Sequence, residues 1–131
     1  MNLICGKAPG VAVWTRAFDP QATDQLQAKL LRGHVDLWQG PAREFLVFGS
    51  RVAAGPLDVP AMRCKFFVGP DRPARELEVP AVLHSRWRLP DGREAAVLAC
   101  VAEQPVGFQA FGRTLALAPG EVKYLALANA P

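Results

Sequence analysis

Apolar and polar positions change their rhythm near residue 49. Before it, Leu31, Val35, Trp38, Ala42, Phe45 and Leu46 recur at steps of four, three, four, three and one. That spacing lines one side of a helix. After it, short apolar runs are punctuated by Pro56, Pro60, Pro70, Pro73, Pro80, Pro90, Pro105 and Pro119. Short strands separated by regular turn signals indicate an antiparallel sandwich or barrel. The pattern therefore predicts a mainly β protein, an antiparallel β-sandwich of about 6–8 strands with an N-terminal helix or kinked helix pair.

The expected elements follow from local chemistry. Val11, Val13 and Thr15 alternate as in a short strand. Asp19 can cap a helix by accepting its free N–H groups, and Pro20 suits the first helical position because its missing N–H has no partner to lose. The helical stretch runs from about Pro20 to Phe48, weakened at Gly33 and at Gly40-Pro41, with Gly49 as its C-terminal cap. Strands are expected at Met62–Val68, Glu76–Val79, Val82–Leu89, Ala95–Ala102, Val106–Phe111, Thr114–Leu117 and Val122–Leu127. Residues 1–48 thus form a strand and helical segment packing on a sandwich of residues 49–131, as one structural unit.

One hairpin can be built residue by residue. Pro90 presets a turn, Asp91 follows, and Gly92 takes the left-handed position that closes a three-residue loop. Leu89 then pairs with Arg93, Arg88 faces Glu94, Trp87 faces Ala95, Ser85 faces Val97 and Leu83 faces Ala99. Leu83, Ser85, Trp87, Leu89, Val97 and Val101 share the core face; His84, Arg86, Arg88 and Glu94 share a face solvated near the turn. Arg88 and Glu94 form a cross-strand ion pair worth a few tenths of a kcal/mol. Leu98 and Cys100, further along that second face, need a cover from the helix or another strand.

Length and composition narrow the classes. The 131 residues suit one domain, and the 50% that are apolar can build a core without metal or disulfide help. The net charge is +3, but the 15 basic residues are spread out, with pairs such as Arg63/Lys65 and Arg86/Arg88 rather than a patch. This argues against nucleic acid as a partner. The three cysteines, Cys5, Cys64 and Cys100, are odd in number and widely spaced, so neither a zinc site nor a disulfide framework is expected, and Cys100 reads as a small buried hydrophobe. No run approaches the ~20 apolar residues of a membrane span, and the first ten residues lack the pattern of a signal peptide. The expectation is a soluble, cytoplasmic chain with no cofactor.

The stretch VPAVLHSRWRLPDGREAAVLACVAEQPVGFQ and the later LALAPGEVKYLAL resemble the C-terminal all-β domain that follows a catalytic (β/α) barrel in glycoside hydrolases, in particular a poorly characterised bacterial group. The matching positions are Trp87, Pro90, Asp91 and Gly92; Val97–Val101 with Glu103 to Pro105; and Leu117, Pro119, Gly120 and Tyr124. Phe45–Gly49 is similar to the segment leading from the last barrel helix into that domain. Cys100 stands where such domains often carry Asn, and no barrel is present in these residues. The resemblance implies an accessory module without catalytic carboxylates, with a barrel domain or a second copy of the chain as partner.

Candidate chemistry is sparse. Glycoside cleavage needs two carboxyl groups held ~5–9 Å apart. Here Asp19, Asp58, Asp71 and Asp91 read as caps and turns, Glu76 and Glu78 as the wet face of a strand, and Glu94, Glu103 and Glu121 as turn borders. Cys64 with His34 or His84 has no supporting motif for a thiol nucleophile, and both histidines read as surface or boundary residues. No catalytic residue is therefore expected. Sugar rings stack on exposed aromatic rings, so Trp14, with His84 and Arg86, is the candidate carbohydrate-binding set; Trp87 and Trp38 read as packed. Trp38, Phe45 and Phe48 are the candidate partner interface, from the surplus of apolar positions on the helical segment. The expected function is a non-catalytic β-sandwich interaction module, with a free-standing carbohydrate-binding module as the alternative.

Overall fold

A computed structural model of the chain describes residues 25–66, 73 and 75–127. Trp14, Cys5, the expected strand around Val11–Thr15 and the Asp19-Pro20 helix start lie outside the described residues. The chain forms α1 (Gln25–Gln39), α2 (Arg43–Phe48), β1 (Ser50–Val52), β2 (Ala61–Phe66), β3 (Arg75–Pro80), β4 (Val82–Arg88), β5 (Glu94–Cys100), β6 (Val106–Ala110), β7 (Arg113–Leu117) and β8 (Val122–Leu127). Strands β1, β4, β5 and β8 make one antiparallel sheet in that order; β2–β3 and β6–β7 are separate two-stranded hairpins. The architecture is mainly β and sandwich-like.

The central hairpin has the expected register at every position, Arg88 with Glu94 through Val82 with Cys100. Gly92 has φ +87°, and Leu89 and Arg93 close the loop through a backbone hydrogen bond of 2.9 Å. The alternation then sends side chains to two different covers. On one face Trp87, Leu89, Ala95, Val97 and Ala99 pack with Leu37, Ala42, Phe45 and Leu46, so this side of the sheet is covered by the helices. On the other, Val82, Ala96, Leu98, Cys100 and Leu125 pack with Val106, Phe108, Leu115 and Leu117 of the β6–β7 hairpin. The cover required over Leu98 and Cys100 is thus a strand pair. Trp87 is 5% exposed, as expected for a core residue, but lies beneath helices rather than beneath a second sheet. Its indole N–H donates to the Ser85 hydroxyl at 2.8 Å, which satisfies both buried polar groups on the core face.

The helical segment departs from expectation in three places. Trp38, Ala42, Phe45 and Leu46 join the core as the spacing predicts, but on α1 Leu30 and Leu37 do so in place of Leu31 and Val35. The helix breaks at Gly40-Pro41 but runs unbroken through Gly33. Gly33 lies against β8: a Cβ there would approach Val122 Cβ and Cγ2 to 2.9 Å, closer than carbon atoms pack. Gly33 therefore sets the distance between α1 and the sheet. Gly49 ends α2 in extended backbone (φ −81°, ψ 157°), not in a left-handed cap, and its N–H bonds to the Phe45 carbonyl at 2.9 Å. The chain leaves the helix directly into β1, a strand too short to show in the pattern.

Two substitutions test this packing. Gly33→Ala gains about 1 kcal/mol of helix propensity but overpacks the α1–β8 contact, at a cost of roughly 1–3 kcal/mol. Urea unfolding is expected to show net destabilisation, and in a Val122→Gly background the same change should become neutral or stabilising. Ser85→Ala leaves the Trp87 N–H buried and unpaired, with an expected loss of about 1–3 kcal/mol; in a Trp87→Phe background that loss should shrink.

Candidate functional site

The polar chemistry of the sheet gathers on the non-helical face of β4. Alternation places His84, Arg86 and Arg88 there, with Glu94 facing Arg88 across the hairpin. Arg86 Nε donates to Glu94 Oε2 at 2.6 Å and its Nη2 contacts the same oxygen, while Arg88 Nε donates to Oε1 at 2.6 Å. The expected Arg88–Glu94 pair is therefore one half of a two-arginine clamp. The Glu94 side chain is only 9% exposed, and the clamp supplies the charge and donors that water cannot. The hydrogen bond from Arg88, followed by that from Arg86, holds the Glu94 carboxyl below the usual range against the opposing effect of burial.

His84 is half-buried, and its Nε2 lies 2.9 Å from the Gly55 carbonyl oxygen. A carbonyl only accepts, so Nε2 carries the proton and Nδ1 of the neutral ring is an acceptor. This bond ties the chain after β1 back to β4. Strand β1 stops at Val52, opposite Arg86, so β4 has no β1 residue beside Ser85 and His84. An open pocket of about 480 Å³ lies at this step in the sheet, lined by Arg51, Val52, Ala53, Ala54, His84, Ser85 and Arg86.

A second cluster stands at the hairpin turn. Arg93 donates to both Glu44 oxygens, at 3.1 and 2.5 Å, and through Nε to Asp91 at 2.7 Å. Asp91 also accepts the Arg93 backbone N–H at 3.0 Å, the main reason its carboxyl lies below the usual range. The Arg93 guanidinium sits 5.9 Å from the Phe45 ring centre. These contacts fasten the turn to α2. All the partners are about half exposed, which makes this cluster a structural staple.

The expected site residues separate rather than converge. His84 and Arg86 do meet at the pocket, but among the described residues no tryptophan lines it. Trp38 is half-buried against the helix-covered core. Phe45 is 4% exposed and packs within the domain, its ring 5.9 Å from that of Tyr124, which removes it from the expected partner interface. Phe48 stays 71% exposed, and Val47 beside it, not singled out from the pattern, is 49% exposed. Leu77 on β3 is 46% exposed. Cys100 is buried as expected, and Cys64 stands opposite Leu77. Glu76 and Glu78 are exposed opposite Lys65 and Arg63. Among the described residues no group of three or more His, Cys, Asp or Glu could hold a metal, and no helix is long and apolar enough to cross a membrane.

His34 is half-buried at the boundary of the core, as expected. It lies on α1, and its Nε2 is buried with no hydrogen-bond partner among the described residues. Burial holds its pKa below the ordinary 6.5.

Comparison with protein-family models, curated proteins and solved structures gives no match to this chain, so the site is read from its own geometry.

Two titrations should separate in an acid stability profile. The unfolded chain takes up a proton at His34 more readily than the folded one, so stability is full above pH 6.5 and falls as the pH drops below it. Glu94 contributes stability above its ordinary 4.5, and this is lost as the pH falls through its lower folded value. His34→Gln is expected to flatten the first decline and Glu94→Gln the second, read by urea midpoints at successive pH values.

Proposed function

We propose that this chain is a non-catalytic interaction module that docks onto a larger partner through the end of α2. The observation that carries the reading is Phe48, 71% exposed beside the half-exposed Val47, on a helix whose other apolar side chains, Phe45 and Leu46, are buried. Burying a phenylalanine side chain stabilises an association by roughly 1.5–3 kcal/mol. The resemblance to the β-domain that follows glycosidase barrels supports a partner of that kind, because the matching Phe45–Gly49 segment is where such a domain meets its barrel. The dispersed carboxylates support the non-catalytic part: Glu94 and Asp91 are spent on arginines, and Glu76 and Glu78 stand exposed on a strand. The carbohydrate-binding alternative is weaker, because Trp87 is buried and Trp38 half-buried.

The test compares the chain with Phe48→Ser. Without its partner, the wild type is expected to self-associate weakly in sedimentation velocity at high concentration and to bind an apolar dye. Phe48→Ser should lose both with an unchanged melting transition. A wild type that stays monomeric and binds dye no better than the variant overturns the docking reading, and turnover on aryl-glycoside or ester panels overturns the non-catalytic one.

A further inference from the structure

We propose that the outer edge of β8 takes an extended acidic segment of a partner protein as a fifth strand of the main sheet. This edge lies on a different element from Phe48 and does not depend on its docking role. Strand β8 closes the sheet on one side and is six residues long, whereas β1 on the other side has three. Cys100 donates its N–H to the Glu121 carbonyl at 2.9 Å, and bonded pairs alternate along an antiparallel ladder, so the odd-numbered residues of β8 carry the bonds to β5. The N–H and C=O groups of Val122, Tyr124 and Ala126 therefore point outward, with no backbone partner among the described residues. The register with β5 runs without a bulge from Val122 to Leu127, and no proline interrupts it. An open edge of this kind is a template for one more strand.

What overhangs the edge sets the chemistry of that strand. Close approaches of Gly33 to Val122 and of Lys29 to Gly120 lay α1 along β8. Leu30, Leu37 and Trp38 turn toward the core, which lies inward of β8. Lys29, Arg32 and Asp36 share the other flank of α1 at helical spacing, exposed above the open side of the edge strand. Two of these three are cations, and no salt bridge engages Lys29 or Arg32 among the described residues. On the opposite face of β8, Leu125 and Leu127 belong to the core under the β6–β7 hairpin. An added strand thus meets cations on one face and apolar side chains on the other. Because its side chains alternate, one peptide can turn carboxylates toward α1 and apolar groups toward Leu125 and Leu127. A second copy fits less well. Pairing β8 with β8 would set the two α1 helices roughly 5 Å apart, inside the ~8–10 Å at which helices pack.

The test adds end-blocked heptapeptides to the full chain, one alternating glutamate with valine and one alternating lysine with valine, and follows amide shifts and hydrogen exchange. In the free chain the Val122, Tyr124 and Ala126 amides should exchange fast, and those of Lys123 and Leu125 slowly. The glutamate peptide should shift residues 122–127 saturably, slow the three outward amides, and bind more weakly as salt is raised. The lysine peptide should bind about tenfold less tightly. Ala126→Pro removes an outward N–H without touching a bond to β5, so it should abolish binding at an unchanged melting temperature. Lys29→Glu with Arg32→Glu, both at exposed positions, should reverse the preference between the peptides, a readout that holds even where Ala126→Pro disturbs the fold. Phe48→Ser should leave glutamate-peptide binding unchanged, which separates this edge from docking through α2. Outward amides already slow in the free chain, shifts that fail to saturate, equal binding of the two peptides, or a preference unmoved by the charge reversal overturn the assignment.

Discussion

The fold is arranged around a strand buried on both faces. All seven residues of β5 are buried. A strand buried on both faces needs two covers, and the chain supplies them from opposite directions. The helices come first and close over Ala95, Val97 and Ala99; the β6–β7 hairpin, inserted between β5 and β8, closes over Ala96, Leu98 and Cys100. The small side chains of β5 let both covers come near. Gly33 meets the same demand at the neighbouring strand, where α1 approaches Val122 at a distance no side chain would allow.

The parts that were legible from residue order are those fixed by local rules. The Pro90-Asp91-Gly92 turn determines which residues face each other, so the register of the hairpin and the burial of Trp87 followed from counting. Seven of the eight described strands were anticipated, with ends shifted by at most two residues; β1 was not, because three residues of Ser, Arg and Val carry no periodic signal. What the chain order did not disclose is which layer covers which face. The core face of β4 is as apolar under a helix as under a sheet, so alternation says only that a cover exists. The first part of the helical stripe was misplaced for a related reason, while Trp38 to Leu46 held: Leu30, Leu31, Val35 and Leu37 leave two overlapping faces of similar hydrophobicity, and contact with β8 selects one.

The candidate site was half legible. His84 and Arg86 were placed correctly on one face of β4, but the pocket beside them depends on where β1 stops, a tertiary fact. Likewise, Arg88–Glu94 was visible as a cross-strand pair, whereas the second arginine on Glu94 is a diagonal neighbour whose reach depends on side-chain conformation. Phe45 and Phe48 illustrate the same limit. Three residues apart on one helix, they end at 4% and 71% exposure because α2 is too short to bury both ends against the sheet.

The two arginine networks differ in consequence although they look alike. Arg93 joins Glu44 and Asp91 at about half exposure, where water competes for every donor and an ion pair contributes little to stability. Glu94 has no such alternative. It occupies the end of the buried strand, so a carboxylate there is tolerable only if both oxygens are engaged. That requirement explains why Arg86 and Arg88 must alternate on the solvated face of β4, and why Arg86 is held in a fixed plane rather than free in solvent. The burial of β5 thus reaches the surface through Glu94. The same constraint that closes the core sets the orientation of the Arg86 guanidinium beside the open step of the sheet, where His84 and the end of β1 lie.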